Sequence, residues 1–98
     1  MISANKPSGG WVTLKDNVLS TDNGSLTLTP REAILIGALM DTKGNPESIE
    51  TLKGLIGYRP ETETTAVQAA ICRIRLKLKP IEEDLIVTGK GGYALAIE

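Results

Sequence analysis

The sequence predicts an α+β fold: an N-terminal three-stranded antiparallel sheet, three helices and a C-terminal β-hairpin. Three observations predict it. Short β-prone runs fill residues 11–28, capping patterns open helices at Thr29 and Ser48, and a glycine-rich turn at residues 88–92 separates two strand-like runs. A chain of 98 residues has room for one such domain, because two cores of half that size would each bury too little surface to hold.

Residues 1–10 are rich in Ser, Asn, Pro and Gly, and we expect a flexible lead-in there, with the domain spanning residues 11–98. Trp11-Val12-Thr13-Leu14 and Asn17-Val18-Leu19-Ser20 flank Lys15-Asp16, which suits a tight turn between antiparallel strands. After the turn formers Thr21-Asp22-Asn23-Gly24, the alternation of Ser25-Leu26-Thr27-Leu28 supplies a third strand.

Thr29-Pro30-Arg31-Glu32 is the clearest local signal. Thr29 caps a helix, Pro30 suits its first position and Glu32 returns a bond to the cap. Ile34, Leu35, Ile36, Ala38, Leu39 and Met40 are apolar almost all round this helix, which places it centrally, and Lys43-Gly44-Asn45-Pro46 ends it. Ser48 caps a shorter second helix with Ile49, Leu52, Leu55 and Ile56 on one face and Gly57 at its end. Tyr58-Arg59-Pro60-Glu61-Thr62-Glu63 then reads as an exposed loop.

In a third helix over residues 64–78, Val67, Ala70, Ile71, Ile74 and Leu78 form a core stripe. Thr65, Ala69, Cys72 and Leu76 come out opposite that stripe, with Gln68, Arg73 and Arg75 on the flanks. Pro80 is expected to stop the helix. Leu85-Ile86-Val87 and Tyr93-Ala94-Leu95-Ala96-Ile97 form the final hairpin around Thr88-Gly89-Lys90-Gly91-Gly92, with Lys90 at its tip.

Composition narrows the function classes. Phe is absent and aromatics amount to 3%, so the expected core is aliphatic, built around Trp11, Tyr58 and Tyr93. The single cysteine, Cys72, has no partner for an internal disulfide, and no run approaches the roughly 20 apolar residues of a membrane helix. A cytoplasmic protein without a membrane partner is expected. With no His, one Cys and no phosphate-loop pattern, catalytic triads and ordinary zinc sites are excluded or incomplete, so no enzyme, cofactor or metal is expected. Net charge is −1, yet the charge is segregated: residues 65–79 carry Arg73, Arg75, Lys77 and Lys79 with no acid, and Glu82, Glu83 and Asp84 follow as a separate run.

The arrangement matches a winged helix-turn-helix, with helices two and three as the DNA-binding unit and the hairpin as the wing. A helix fits the major groove, flanking cations neutralise phosphates and a hairpin tip reaches an adjacent groove. The candidate contacts to double-stranded DNA are Thr64, Thr65, Gln68, Ala69, Cys72, Arg73, Arg75, Lys77 and Lys90. Plainer readings stand beside these. The four cations suit a solvated helix face, Lys90 a soluble hairpin tip, Thr62, Thr64 and Thr65 helix caps, and Cys72 an inert small residue.

Leu28-Thr29-Pro30 with Glu32, the Leu35-Ile36 pair, TAVQAAICRIRLKL at residues 65–78, and residues 88–93 followed by Ala94-Leu95 also carry a family likeness. Through them the chain resembles the effector domain of OmpR/PhoB-type response regulators, from Trp11 to Leu95. The resemblance implies a bacterial two-component transcription regulator whose third helix enters the major groove. It also implies that Tyr58, Arg59 and Glu61 are available to RNA polymerase, and that the domain forms a homodimer on repeated half-sites. Thr65 and Ala66 fall where the family usually has an Arg-Thr pair on phosphates, and Arg73 and Arg75 match basic positions. Ala69 and Ala70 replace a common Val-His, and Thr88-Gly89-Lys90-Gly91 stands where Thr-Val-Arg-Gly is usual. The two alanines and the net charge motivate an alternative of a different class: a winged-helix protein-interaction module with weak or no DNA binding.

Overall fold

Four antiparallel strands open the fold, in the spatial order β1-β2-β3-β4: Ile2–Asn5, Trp11–Lys15, Val18–Thr21 and Gly24–Thr27. The computed structural model describes residues 2–55, 64–89 and 91–98, apart from the side chains of residues 64 and 65. The sheet is therefore four-stranded where three were expected, and its extra strand comes from the segment expected to be a loose lead-in. Ile2 pairs with Leu14 and Asn5 with Trp11, so β1 occupies the edge that β2 would otherwise leave unpaired. Local propensity does not require this strand; its partner does. A turn closed by Lys6 N–H donating to Gly10 O at 2.9 Å joins the two.

The β2–β3 turn lies where expected, with Asp16 at φ 55°. Alternation along β2 sends Val12 and Leu14 inward and leaves Trp11 45% exposed, which corrects its placement in the core. The core is aliphatic as expected: Val12, Leu19, Leu35, Ile36, Leu39, Leu52, Val67, Ile71, Ile74, Leu78, Leu85 and Leu95 are all fully buried.

Helix α1 covers Pro30–Asp41 and starts on a complete capping box. Thr29 Oγ1 accepts from Glu32 N–H at 3.2 Å while Glu32 Oε1 accepts from Thr29 N–H at 2.9 Å. The helix is central but not buried all round, since Ile34 is exposed. Helix α2, Ile49–Leu55, begins as expected, with Ser48 Oγ accepting from Thr51 N–H at 3.2 Å. Of its apolar face, Leu52 is fully buried and Leu55 exposed; Ile56 and Gly57 lie outside the described residues.

Helix α3, Thr64–Glu82, runs past Pro80, where it was expected to stop. Proline removes only the N–H that would reach back to Leu76, a loss confined to the last turn, and tertiary contacts offset it. Ile81 packs beside Gly24, and Glu82 accepts hydrogen bonds from Lys6 and Asn23. The core stripe of α3 is as expected, with Val67, Ala70, Ile71, Ile74 and Leu78 all buried.

The wing is β6, Ile86–Gly89, and β7, Gly92–Leu95, paired from Ile86 with Leu95 to Gly89 with Gly92. A strand not expected from sequence, β5 at Glu47–Ser48, pairs with the other side of β7, making a three-stranded sheet in the order β5-β7-β6. Through β5 the wing connects directly to the start of α2, whose Ile49 N–H donates to Gly91 O at 3.3 Å. No described helix is long and apolar enough to cross a membrane.

Candidate nucleic-acid interface

Burying one stripe of α3 obliges the opposite side to face out. Gln68, Ala69, Cys72 and Arg73 are exposed there, and Leu76 is 66% exposed. This is the surface the helical period predicts, and no described element covers it. The expected contacts differ in what the fold does with them.

Arg75 is committed to the wing. Its Nη2 donates to Ile86 O at 3.3 Å and to Thr88 Oγ1 at 3.1 Å, and its guanidinium carbon lies 5.5 Å from the centre of the Tyr93 ring. A planar cation stacked on an aromatic face with its fork on a neighbouring strand is a brace. It ties the outward row of α3 to the hairpin and so fixes the angle between the two elements expected to touch DNA.

Lys77 turns the other way. Its Nζ is 2.6 Å from Glu32 Oε1 on α1, with Glu32 buried and the lysine side chain 41% exposed. Burial pushes the Glu32 carboxyl up, but the Lys77 ammonium and the Thr29 backbone N–H outweigh it and hold the group below its ordinary value. Lys77 was expected on the DNA-facing rim; the structure gives it an internal carboxylate instead. Arg73 and Lys79 are exposed and have no partner among the described residues, so the four-cation run divides into two braces and two outward charges.

The acidic run divides as well. Glu82 is drawn inward by Lys6, which also sits 2.7 Å from Asp22 Oδ1. Hydrogen bonds to Asp22 and Glu82 raise the Lys6 pKa, while the bond from Lys6 lowers that of Asp22. Glu83 and Asp84 remain exposed and share an open hollow of about 420 Å³ with Cys72, Arg75, Leu76, Lys79 and Ile86. The positive strip of α3 therefore meets opposing charge at its C-terminal end, and among the described residues no acid lies on the N-terminal part of the outward face.

Tyr58, Arg59, Glu61 and Lys90 lie outside the described residues, and Thr64 and Thr65 are described only as the first turn of α3. Sequence reasoning missed the Arg75 brace and the Lys77–Glu32 pair. Helical spacing reports which side a residue faces and carries no signal about partners on other elements.

Comparison with known proteins gives the family and the fold. A family model described as "Transcriptional regulatory protein, C terminal" matches residues 23–95. The DNA-binding domain of Escherichia coli CadC is similar in structure, with a TM-score of 0.75 at 23% identity over 99% of this chain and 92% of that one. The C-terminal domain of the nisin resistance regulator NsrR, a lantibiotic response regulator, is also similar. It gives a TM-score of 0.69 at 28% identity over 86% of this chain and 90% of that one. No curated protein sequence matches.

Proposed function

The chain belongs to the family of transcriptional regulatory protein C-terminal domains, a DNA-binding effector domain of the response-regulator type, and from that premise we propose how it holds DNA. The N-terminal half of α3 enters the major groove, Arg73 on its flank meets a phosphate, and the wing lies on the adjacent backbone with Lys90 at its tip. The observation that carries this reading is the outer face of α3, which no described element covers, rimmed by Arg73 on one side and by the braced wing on the other.

Within this reading Arg75 and Lys77 act from inside. Arg75 positions the wing and Lys77 positions α3 on α1, while Arg73, Lys79 and Lys90 supply charge to the phosphates. Thr64, Thr65, Gln68, Ala69 and Cys72 form the surface that meets the groove. Tyr58, Arg59 and Glu61 are the segment we assign to RNA polymerase contact, and a second copy on a repeated half-site is the assigned oligomer, both on the strength of the family resemblance. The protein works where DNA is, in the cytoplasm.

The test is a titration of a labelled duplex pool against salt. Affinity falls as salt rises, because each neutralised phosphate releases counterions, and about three contacts give a log–log slope of about −3. Arg73→Ala reduces that slope by about 1 at unchanged folding stability. An affinity independent of salt, or an Arg73→Ala variant with the parent slope, overturns the assignment.

A further inference from the structure

We infer that Gln68 is the residue with which this domain reads a base, and that the base is adenine, with a thymine methyl packed against Ala69. This rests on the DNA-binding reading above and goes beyond it by naming the sequence feature recognised.

Because a helix turns by about 100° per residue, Gln68, Cys72, Arg75 and Lys79 lie in one row along α3. Arg75, in the middle of that row, touches the wing, so Gln68 is on the wing side and Arg73 on the far flank. Over the N-terminal turns the side chains between them, Ala69 and Cys72, are small and exposed, which lets that end of the helix approach a groove floor closely, with the larger exposed Leu76 one turn further on.

Few side chains on this face can tell one base from another. Arg75 is held by Ile86, Thr88 and Tyr93, and Lys77 by Glu32. Arg73, whose donors suit guanine and not adenine, is assigned to a phosphate in the reading above. Among the described residues of the outward face, Gln68 alone offers a strong donor and a strong acceptor together; the Cys72 thiol is weak in both roles. It is exposed and makes no hydrogen bond among the described residues.

Gln68 is also well placed along the helix. It is the fifth residue of α3, in the N-terminal part that reaches base edges in helix-turn-helix docking, and its side chain slants toward that end. The carboxamide matches adenine, whose major-groove edge shows an acceptor at N7 and a donor at N6. Guanine shows two acceptors, which a single amide cannot satisfy in the same bidentate pose. The alanine methyl next to Gln68 matches the thymine C5-methyl.

The experiment is selection from a pool of random duplexes by the 98-residue chain and by Gln68→Ala and Gln68→Arg, each first checked for a parent-like circular dichroism spectrum. The parent chain enriches sites with a fixed adenine. Placing 7-deazaadenine there, which lacks the N7 acceptor, weakens the parent about tenfold and leaves Gln68→Ala unaffected. Gln68→Arg shifts the preference at that position from adenine to guanine, a change that a structural role for Gln68 does not produce. If Gln68→Ala enriches the same adenine as the parent, or the parent enriches none, the assignment of Gln68 is overturned while DNA binding stands. Failure to retain any duplex at low salt overturns both.

Discussion

The carboxylate of Glu32 closes the capping box of α1 and, with the same oxygen, receives the ammonium of Lys77 at 2.6 Å. One buried group thus starts the central helix and fixes α3 against it. Removing it breaks both jobs. We expect Glu32→Ala to lower stability by about 2 kcal/mol, the sum of a lost cap and a lost charged hydrogen bond, measured as a fall in the urea midpoint at constant slope.

Lys77→Met leaves the buried carboxylate with Thr29 in place of a charged partner and costs about 1–3 kcal/mol. The pH dependence follows from the lowered pKa of Glu32. Stability from a depressed carboxylate is fully present above its unfolded value, near 4.5, and is lost as pH falls through the folded value. The gap between parent and Lys77→Met therefore narrows in acid. A gap of constant size from neutral pH down to complete protonation of Glu32 would falsify the pairing.

Lys6, Asp22 and Glu82 tie the first strand to the last turn of α3. The Lys6 pKa is raised and that of Asp22 lowered, so the two contributions fade at opposite ends of the pH scale. The lysine contribution is complete below 10.5 and is lost as pH rises through its raised folded value. The Asp22 contribution is complete above 3.8 and is lost as pH falls through its lowered one. We expect Lys6→Met to lower the urea midpoint over the broad range between, converging on the parent at both extremes. Amide exchange in the turn after Pro80 should quicken. Unchanged exchange there would show that Lys6 does not hold the helix end.

These contacts mark where the sequence stopped being legible. Thr29, Pro30 and Glu32 announced α1 because a capping box is written within four residues, and the stripe from Val67 to Leu78 announced the buried side of α3 by its period alone. The strand at Ile2–Asn5 was not legible, since Ser3, Ala4 and Asn5 have no strong β preference and their pairing is decided by the free edge of β2. β5 has two residues and exists only through β7. The continuation past Pro80 depends on Lys6, whose bond to Glu82 spans 76 positions, and the fate of Lys77 depends on Glu32, 45 positions away. Partners that far apart leave no trace in local spacing, so the outward face of α3 was found while the division of its cations was not.

Arg75 is expected to matter for DNA through the wing. Arg75→Ala removes two hydrogen bonds and the stacking on Tyr93, destabilising by about 1–2 kcal/mol. Faster amide exchange at Thr88 and Tyr93 should accompany weaker DNA binding. Arg75→Lys restores the charge but neither the fork nor the stack, so it should resemble Arg75→Ala in both measurements. A lysine variant with full DNA affinity would show that Arg75 serves as a charge and not as a brace.

Gly92 lies in the turn region where the sequence favours glycine, and the fold adds a second reason for it there. Gly89, Gly91 and Gly92 suit a close backbone approach, and at Gly92 the approaching backbone belongs to the protein itself. A Cβ there would fall 1.7 Å from Glu47 O and 2.6 Å from Glu47 C, on the line where β5 pairs with β7. Backbone cannot turn aside as a flexible side chain can, so Gly92→Ala should expel β5 and detach the wing from the start of α2, costing at least about 3 kcal/mol. Gly91 provides the control. Its φ of 71° disfavours a side chain, but nothing lies within 4 Å of its Cβ position, so Gly91→Ala should cost only the local strain of about 1 kcal/mol. Urea unfolding of the two variants separates the effects. Equal losses would mean that conformation at the hairpin tip, and not the β5 contact, holds the wing in place.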